Sequence, residues 1–196
     1  MHTLYSTECI VLGAVDSGEA SKYISLFTKD IGLVKAVAKS VREEKSKLRY
    51  SLQDFSCTYA TLVRGKDVWR LTGAEERYNL HNELKGESEK LFTITQILDL
   101  LQRLVHGEEK NDYLFDTLSY GLEFMKENKM NKEMLKNFEH LVVLRILYSL
   151  GYIAKKNNFA ELLRLTEINY KLLKETESKR KDIIFAVNRA LKEAHL

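Results

Sequence analysis

The spacing of hydrophobic residues changes near residue 80, and this change constrains the fold more than any other feature of the chain. Before it, apolar residues alternate or cluster in short runs rich in β-branched and aromatic side chains, which is typical of strands. After residue 85, apolar residues recur at steps of three and four, which is the period of helices. We therefore predict an α+β multi-domain protein, with strands in residues 1–80 and helices in residues 81–196.

The first part predicts five short strands. The runs place them at Leu4–Val15, Tyr23–Thr28, Leu33–Ala38, Phe55–Arg64 and Asp67–Glu75. On the first strand, the residues expected on one buried face are Tyr5, Cys9, Val11 and Val15. Gly65 and Lys66 predict a tight hairpin turn between the last two strands. Five strands with a non-strand connection after the third fit an OB-fold β-barrel, although an SH3-like barrel has a similar strand count.

The second part predicts an all-α helical bundle. The apolar periodicity places its helices at 88–106, 112–127, 131–150, 159–174 and 178–194. Gly151 is expected to terminate the third of these helices, because glycine adopts the left-handed conformation found there.

The charge of the whole chain says little about its partners, since the net charge is only +3. Local charge is more informative. Residues 35–49 contain six cations against Glu43 and Glu44, and they begin on the third strand and continue into the connection that follows. A basic connection beside a barrel is well placed to track a phosphate backbone. The cations are Lys35, Lys39, Arg42, Lys45, Lys47 and Arg49, and Arg64 on the hairpin extends the same surface.

Three aromatic residues lie near this basic stretch in sequence, namely Tyr50, Tyr59 and Trp69. An exposed aromatic ring can stack on a nucleic-acid base, which contributes about 1–3 kcal/mol. Barrel aromatics more often fill the core, and we expect Trp69 to be a core residue.

Several other classes of function are disfavoured. No stretch approaches the roughly 18 residues of a membrane span, and the N-terminus does not resemble a signal peptide, so a cytoplasmic protein without membrane contact is expected. Cys9 and Cys57 are predicted to be buried core thiols, because a zinc site needs about four clustered ligands. Gly13 and Gly18 have phosphate-loop spacing, but Glu19 and Ala20 follow instead of the required lysine and hydroxyl residue.

Catalytic groups are equally hard to find. The carboxylate pairs Glu75-Glu76 and Glu108-Glu109 are expected at exposed ends of elements, and no activated acid is placed against a base. We therefore interpret the chain as a non-enzyme with no metal and no cofactor.

An ordered set of short motifs in the first part resembles the barrel domain of the RecO family of recombination mediators. The motifs are Ser6-Thr7-Glu8-Cys9-Ile10-Val11-Leu12, Gly18-Glu19-Ala20, Leu26-Phe27-Thr28, Gly32, Ala36-Val37-Ala38-Lys39, Arg42, Lys45-Ser46-Lys47-Leu48, Leu52 and Phe55-Ser56. Two later segments are similar to RecO helices. They are 144–152, which ends in Leu150-Gly151-Tyr152, and the closing segment 188–196.

The resemblance implies a DNA-binding protein of recombinational repair. Its members bind single- and double-stranded DNA, anneal complementary strands, contact the C-terminal tail of the single-strand-binding protein, and work with RecR to load the recombinase. Lys35, Lys39, Arg42, Lys45, Lys47 and Arg49 are the positions to which we carry over DNA binding. For an acidic, aromatic-ended tail we expect an apolar pocket rimmed by cations, with Leu144, Arg145 and Tyr148 as candidates.

Two departures from the family pattern stand out. Many members have a four-cysteine zinc module after the Leu-Gly-aromatic turn, whereas this chain continues IAKKNNFAELLRL. We therefore expect a compact member whose helical part is held together by apolar packing alone. Ser40 stands where the family usually has glycine, which places the shape of the basic connection in question.

Two alternatives remain open from the sequence. The modest net charge also fits a protein-interaction adaptor of the repair machinery with little DNA binding of its own. An OB-fold barrel can also bind RNA, since composition does not distinguish the two nucleic acids.

Overall fold

The N-terminal part of the chain is a closed five-stranded barrel, seen in a computed structural model that describes residues 3–154 and 157–194. The strands are β1 (Leu4–Ser17), β2 (Ser21–Thr28), β3 (Gly32–Ala38), β4 (Ser56–Arg64) and β5 (Trp69–Asn79). They are ordered β1-β2-β3-β5-β4, and β4 closes the barrel on β1. β3 and β5 run parallel, whereas the other pairs are antiparallel. This five-stranded closed arrangement confirms the OB-fold prediction.

Alternate residues of each strand fill the barrel, but β1 changes face along its length. Cys9 and Val11 are buried as predicted, whereas Val15 is 70% exposed. The register between β1 and β2 shifts between Val11 and Gly13. A bulge of this kind adds one residue to one strand and reverses which side chains face inward. The prediction that Val15 is buried is therefore wrong, and Tyr5, also expected inside, is 39% exposed.

The connections of the barrel are short and anchored. The β3–β4 connection contains one helical turn, α1 (Leu48–Ser51), and β5 leads into a second, α2 (Leu80–Glu83). Residues 102–111 belong to the same compact unit. The Leu33 amide donates to the Gly107 carbonyl at 3.2 Å. Gly32 has a φ of +87°, and its Cα faces the Glu109 backbone so closely that a side chain would collide.

The C-terminal part is helical. Its longer helices are α3 (Ser88–Leu104), α4 (Asp112–Glu127) and α5 (Lys132–Ser149). After a 3₁₀ turn at Asn157–Phe159 come α6 (Ala160–Arg164), α7 (Tyr170–Ser178) and α8 (Arg180–Glu193). Positions 195–196 of the RecO-like closing segment lie outside the described residues. The apolar residues at helical spacing are buried as the periodicity predicts, among them Ile94, Ile97, Leu98, Leu101, Leu114, Phe115, Leu118, Leu122, Met125, Leu135, Phe138, Leu141, Val142 and Ile146.

The turn after α5 confirms the predicted role of Gly151. Its φ is +82°, its amide donates to the Tyr148 carbonyl at 3.0 Å, and the Tyr152 amide donates to the Leu147 carbonyl at 2.9 Å. This pair of bonds is the Schellman motif, which satisfies carbonyls left open at a helix C-terminus.

The predicted helix at 159–174 is wrong, because this stretch forms α6 and α7 with an extended break between them. Leu165 leaves the helical conformation with a ψ of 153°. The Asn169 side chain accepts a hydrogen bond from the Leu172 amide at 3.0 Å and so starts α7 as an N-cap. Carbonyls within the break are bound by a side chain from α5, described below.

The chain divides into two compact units. One contains residues 1–85 and 102–111 and is called the barrel unit here, and the other contains residues 86–101 and 112–196 and is called the helical unit. The domain boundary at residues 80–81 stays a prediction. None of the helices within the described residues is long and apolar enough to cross a membrane.

Candidate nucleic-acid interface

The basic connection, residues 39–55 between β3 and β4, is fixed to the barrel by apolar anchors. Val41 and Leu52 are each 4% exposed and belong to the barrel core, and Leu48 packs against it in part. Because these three side chains point inward, the polar residues between them are turned to solvent. The alternation of anchors and cations therefore explains how a loop rich in charge adopts a defined path.

A positive φ marks the start of this connection. Ser40 has a φ of +53°, a left-handed conformation that is unfavourable for a residue with a side chain by about 1–2 kcal/mol. This is the position at which the family usually has glycine, which adopts the conformation freely. The Glu43 amide donates to the Ser40 carbonyl at 3.2 Å and closes the turn. Serine therefore keeps the left-handed turn at a strained position.

Five of the predicted DNA-binding cations are exposed and unengaged. The side chains of Lys35, Lys39, Lys45, Lys47 and Arg49 form no ion pair or hydrogen bond within the described residues. Lys35 lies on the outer face of β3, opposite Ser25 of β2, and the other four follow in the connection. Cations without carboxylate partners remain available for phosphate groups.

Arg42 differs from these five residues because it is bound within the barrel unit. Its Nη1 donates to the Gly18 carbonyl at 3.2 Å and lies 3.2 Å from Asp16 Oδ2. Its amide donates to the Ala20 carbonyl at 3.0 Å. Arg42 thus ties the connection to the β1–β2 turn, and its guanidinium is shared between that turn and any external anion.

Arg64 is likewise engaged. Its Nη1 lies 3.2 Å from Glu108 Oε2, and its guanidinium lies 5.4 Å from the centre of the Trp69 ring. The Trp69 indole donates to Glu108 Oε1 at 2.8 Å, and Tyr5 packs edge-on against the Trp69 ring. Trp69 is 5% exposed, which confirms that it is a core residue. The charge of Arg64 is therefore balanced by a carboxylate.

Sequence reasoning missed the part that Glu108 takes in this arrangement. We expected an exposed carboxylate at the end of an element, whereas Glu108 bridges the Trp69 indole and the Arg64 guanidinium. No local pattern marks such a contact, since the partners are about forty residues apart in sequence.

The tyrosines near the interface fall into two groups. Tyr59 is 45% exposed, but its hydroxyl donates to Glu8 Oε1 at 2.7 Å, and this bond to a carboxylate raises the pKa of the Tyr59 phenol. The Arg77 guanidinium lies 5.7 Å from the Tyr59 ring. Tyr50, on α1 beside Arg49, is 67% exposed. Of the three aromatic candidates, Tyr50 offers the most open ring.

The residues expected to bind a partner's tail are mostly buried. Leu144 and Arg145 are fully buried, and Tyr148 is half-buried with its ring packed edge-on against Tyr113. Arg145 donates to three carbonyls, Leu162 at 2.8 Å, Thr166 at 2.8 Å and Glu167 at 3.2 Å. Its position corrects our expectation that it rims a surface pocket.

Arg145 also corrects the expectation that apolar packing alone holds the helical unit together. Burial lowers the pKa of the guanidinium to about 10, so the group remains a cation near neutral pH. Because the three carbonyls lie at the end of α6 and in the break before α7, one side chain of α5 holds this irregular segment in place.

Both cysteines are free and buried, as predicted, and burial raises the pKa of the Cys9 thiol. Within residues 3–154 and 157–194, no cluster of three or more histidine, cysteine or carboxylate side chains is arranged to hold a metal ion.

Comparison with known proteins places the barrel in a family. Residues 1–78 match the family model described as "Recombination protein O N terminal". A "DNA repair protein RecO" of Alkaliphilus metalliredigens is 30% identical over 140 residues, which is 69% of this chain and 55% of that protein.

Two further relatives share that description. The one from Dehalococcoides mccartyi is 30% identical over 151 residues, covering 76% of this chain and 56% of the relative. The one from Rubrobacter xylanophilus is 36% identical over 137 residues, covering 61% and 55%. The chain thus spans about half the length of the curated relatives that it matches. With its matching N-terminal domain and these similarities, the chain belongs to the RecO family.

Proposed function

We propose that this chain binds DNA through the basic connection and acts as a recombination mediator in DNA repair. The observation that carries the proposal is the set of five exposed, unpaired cations, Lys35, Lys39, Lys45, Lys47 and Arg49, on one strand and the loop that follows it. Each phosphate that a cation neutralises releases counterions, so binding strengthens as salt is lowered. The RecO relatives, which are described as DNA repair proteins, support the same role.

A charge-reversal variant tests the site. We replace Lys39, Lys45, Lys47 and Arg49 by glutamate and leave Arg42 intact, because Arg42 holds the β1–β2 turn. A matched control reverses four exposed lysines of the helical unit, Lys129, Lys171, Lys174 and Lys192, which changes the net charge by the same amount.

The measurement is a fluorescence titration of labelled DNA at several salt concentrations. The slope of log K against log salt should fall by about four for the basic-connection variant, close to one for each lost phosphate contact, and by much less for the control. Equal losses in both variants would show that net charge acts without a site, and an unchanged slope in the first would contradict the proposal.

Within this proposal, the chain anneals complementary strands and helps to load the recombinase, with a RecR-like protein, on single strands coated by the single-strand-binding protein. These steps need no bond-breaking chemistry, so a non-enzymatic role and a cytoplasmic location are part of the proposal. Annealing of complementary oligonucleotides coated with that protein tests it, and the basic-connection variant should anneal more slowly than the control variant.

A groove on the helical unit favours a protein partner as a second feature of the same function. The groove has a volume of about 370 Å³ and lies between the turn after α5 and one face of α8. Its apolar wall includes Phe185, which is 73% exposed, and Tyr152, which is 38% exposed, with Arg189 at the rim. An acidic, aromatic-ended tail needs such an apolar pocket with a nearby cation, and this groove replaces the buried Leu144 and Arg145 as its proposed site.

Binding of a labelled tail peptide tests the groove. Phe185→Ala should weaken binding about tenfold through lost apolar contact. Phe92→Ala removes an equally exposed ring elsewhere on the helical unit and should leave binding unchanged. If both variants bind the peptide as the unmodified chain does, the tail binds elsewhere. Binding of the tail with no binding of DNA would favour the adaptor alternative.

A further inference from the structure

A continuous row of outward-facing residues crosses the strands of the barrel. Following the register from strand to strand, Val15 lies opposite Tyr23, Tyr23 opposite Val37, and Val37 opposite Arg70. Side chains at opposed positions of paired strands point to the same face. The row continues from Arg70 to Val63 and Leu4. We call these six residues the outward row, and their neighbours Ile24, Ala36 and Leu62 point into the barrel core.

The outward row is apolar and accessible along much of its length. Val15 is 70% exposed, Tyr23 is 43% exposed and Leu4 is 65% exposed. Apolar side chains in register on a strand surface are normally covered by another layer. An exposed patch of this kind more often marks an interaction site than a scatter of single residues does.

Cations lie around the middle of the outward row. Arg70 is beside Val37 on β5, Lys35 is two positions before Val37 on β3, and Lys39 is two positions after it. Within the described residues, no carboxylate pairs with any of the three. Apolar contact surrounded by unpaired positive charge matches a ligand that carries flat apolar groups on an anionic backbone.

The strand positions beside Tyr23 leave room for such a ligand. Gly13, Ser25 and Lys35 form the next outward positions across β1, β2 and β3. A Cβ on Gly13 would meet no atom within 4 Å, so the space above it is open. With small residues at two of these three positions, one side of the Tyr23 ring borders a shallow depression in the barrel surface.

We propose that the outward row holds unpaired bases of single-stranded DNA, with Tyr23 as the stacking platform and Lys35, Lys39 and Arg70 on the phosphates. Tyrosine can stack only on a base whose face is free, and in a duplex each base is already stacked on its neighbours. The basic connection attracts either form of DNA by charge, whereas the outward row distinguishes the single strand. This inference rests on the proposed function and assigns specificity within it.

A comparison of three probes tests this assignment on the unmodified chain. The probes are an oligothymidylate of about 12 nucleotides, within the site sizes of such barrels, an abasic oligomer of the same length, and a duplex. The oligothymidylate should bind about tenfold more tightly than the abasic oligomer at every salt concentration. Both should give the same salt slope, because their phosphates are alike. Equal affinity for the two single strands would overturn the inference.

Variants of Tyr23 assign the effect to this ring. Tyr23→Ala should bring the affinity for oligothymidylate down to that for the abasic oligomer and leave duplex binding unchanged, whereas Tyr23→Phe should keep the preference. Tyr120→Ala removes a tyrosine of similar exposure, 41%, from α4 and serves as the matched control. If Tyr23→Ala keeps the preference, or weakens duplex and single-strand binding equally, the row is not a base platform and a protein partner is the better occupant.

The outcomes separate this inference from the proposed function. Salt-dependent binding without preference for bases leaves the basic connection as a DNA site and removes the outward row from it. Binding of none of the three probes would contradict both. Should Tyr23→Ala fail to fold, the abasic comparison on the unmodified chain still decides the matter.

Discussion

The basic connection of the barrel unit and the break between α6 and α7 in the helical unit show two uses of positive charge. In the connection, Lys39, Lys45 and Lys47 are exposed and have no carboxylate partner among the described residues. In the break, Arg145 is fully buried and its guanidinium donates to three carbonyls. The difference teaches that a cation contributes to binding only where the fold leaves it unsatisfied, and contributes to stability where backbone acceptors surround it.

Arg145→Met offers the largest test of this comparison. Methionine fills the space but leaves the three carbonyls without a donor, and we expect a loss of about 3 kcal/mol of unfolding free energy. For a chain of this size the melting temperature should fall by about 10 °C. Arg164→Met is the control, since its side chain is 65% exposed, and it should change stability by less than about 0.5 kcal/mol. Unchanged melting of Arg145→Met would mean that packing alone holds the break.

Glu108→Gln sharpens the comparison at Arg64, a cation of intermediate kind. The amide keeps an acceptor for the Trp69 indole but removes the negative charge opposite Arg64. We expect a loss of about 1 kcal/mol in urea unfolding, because the pair is partly exposed. With Arg64 released, the salt slope of DNA binding should become steeper by up to about one. A slope identical to that of the unmodified chain would show that Arg64 does not reach the DNA even when it is free.

Ser40→Gly tests whether the shape of the connection depends on a strained residue. Glycine relieves the left-handed strain, and the greater freedom of glycine in the unfolded chain offsets part of the gain. The expected net effect is a gain of about 0.5 kcal/mol in chemical unfolding. Ser46→Gly, within the same connection, has no positive φ to relieve and should lose about 0.5 kcal/mol. A loss on Ser40→Gly equal to that at Ser46 would contradict the strain.

His140 gives the smallest expected effect and concerns a second nitrogen-bearing side chain of α5. Burial, together with Arg180 and Lys136, lowers the pKa of His140 below its ordinary value of 6.5. Because the folded pKa is the lower one, the unfolded chain takes up the proton first as the pH falls. Stability should therefore be full above about pH 6.5 and decline below it. The melting temperatures of the chain and of His140→Gln, compared at about pH 7.5 and pH 5.5, should show a smaller decline for the variant.

Much of the barrel follows from the sequence because its signals are local. Alternating apolar residues mark the strands, and Gly65 with Lys66 marks the hairpin. The fate of Val15 does not follow, since the bulge at Val11/Gly13 is set by how two strands pair and leaves no sign in either strand alone. The same reversal that defeats the prediction turns Val15 outward and makes it part of the outward row.

The helical unit is predictable for its longer helices and not for the segment after Gly151. Apolar residues in α4 and α5 recur at helical spacing, so their buried faces follow directly. The break at Leu165 depends on Arg145, which comes from another helix and seeks carbonyls rather than a sequence motif. For the same reason, neither the burial of Arg145 nor the bridging role of Glu108 can be inferred from neighbouring residues.

The most direct test of the central claim, that the free cations of the barrel unit bind DNA, is lysine acetylation followed by mass spectrometry, with and without an oligonucleotide. A lysine whose ammonium contacts phosphate is shielded from the reagent. The account predicts that Lys35, Lys39, Lys45 and Lys47 become protected, whereas Lys171 and Lys174 on α7, which are equally exposed, stay reactive. Protection of the α7 lysines with full reactivity at Lys39, Lys45 and Lys47 would contradict it.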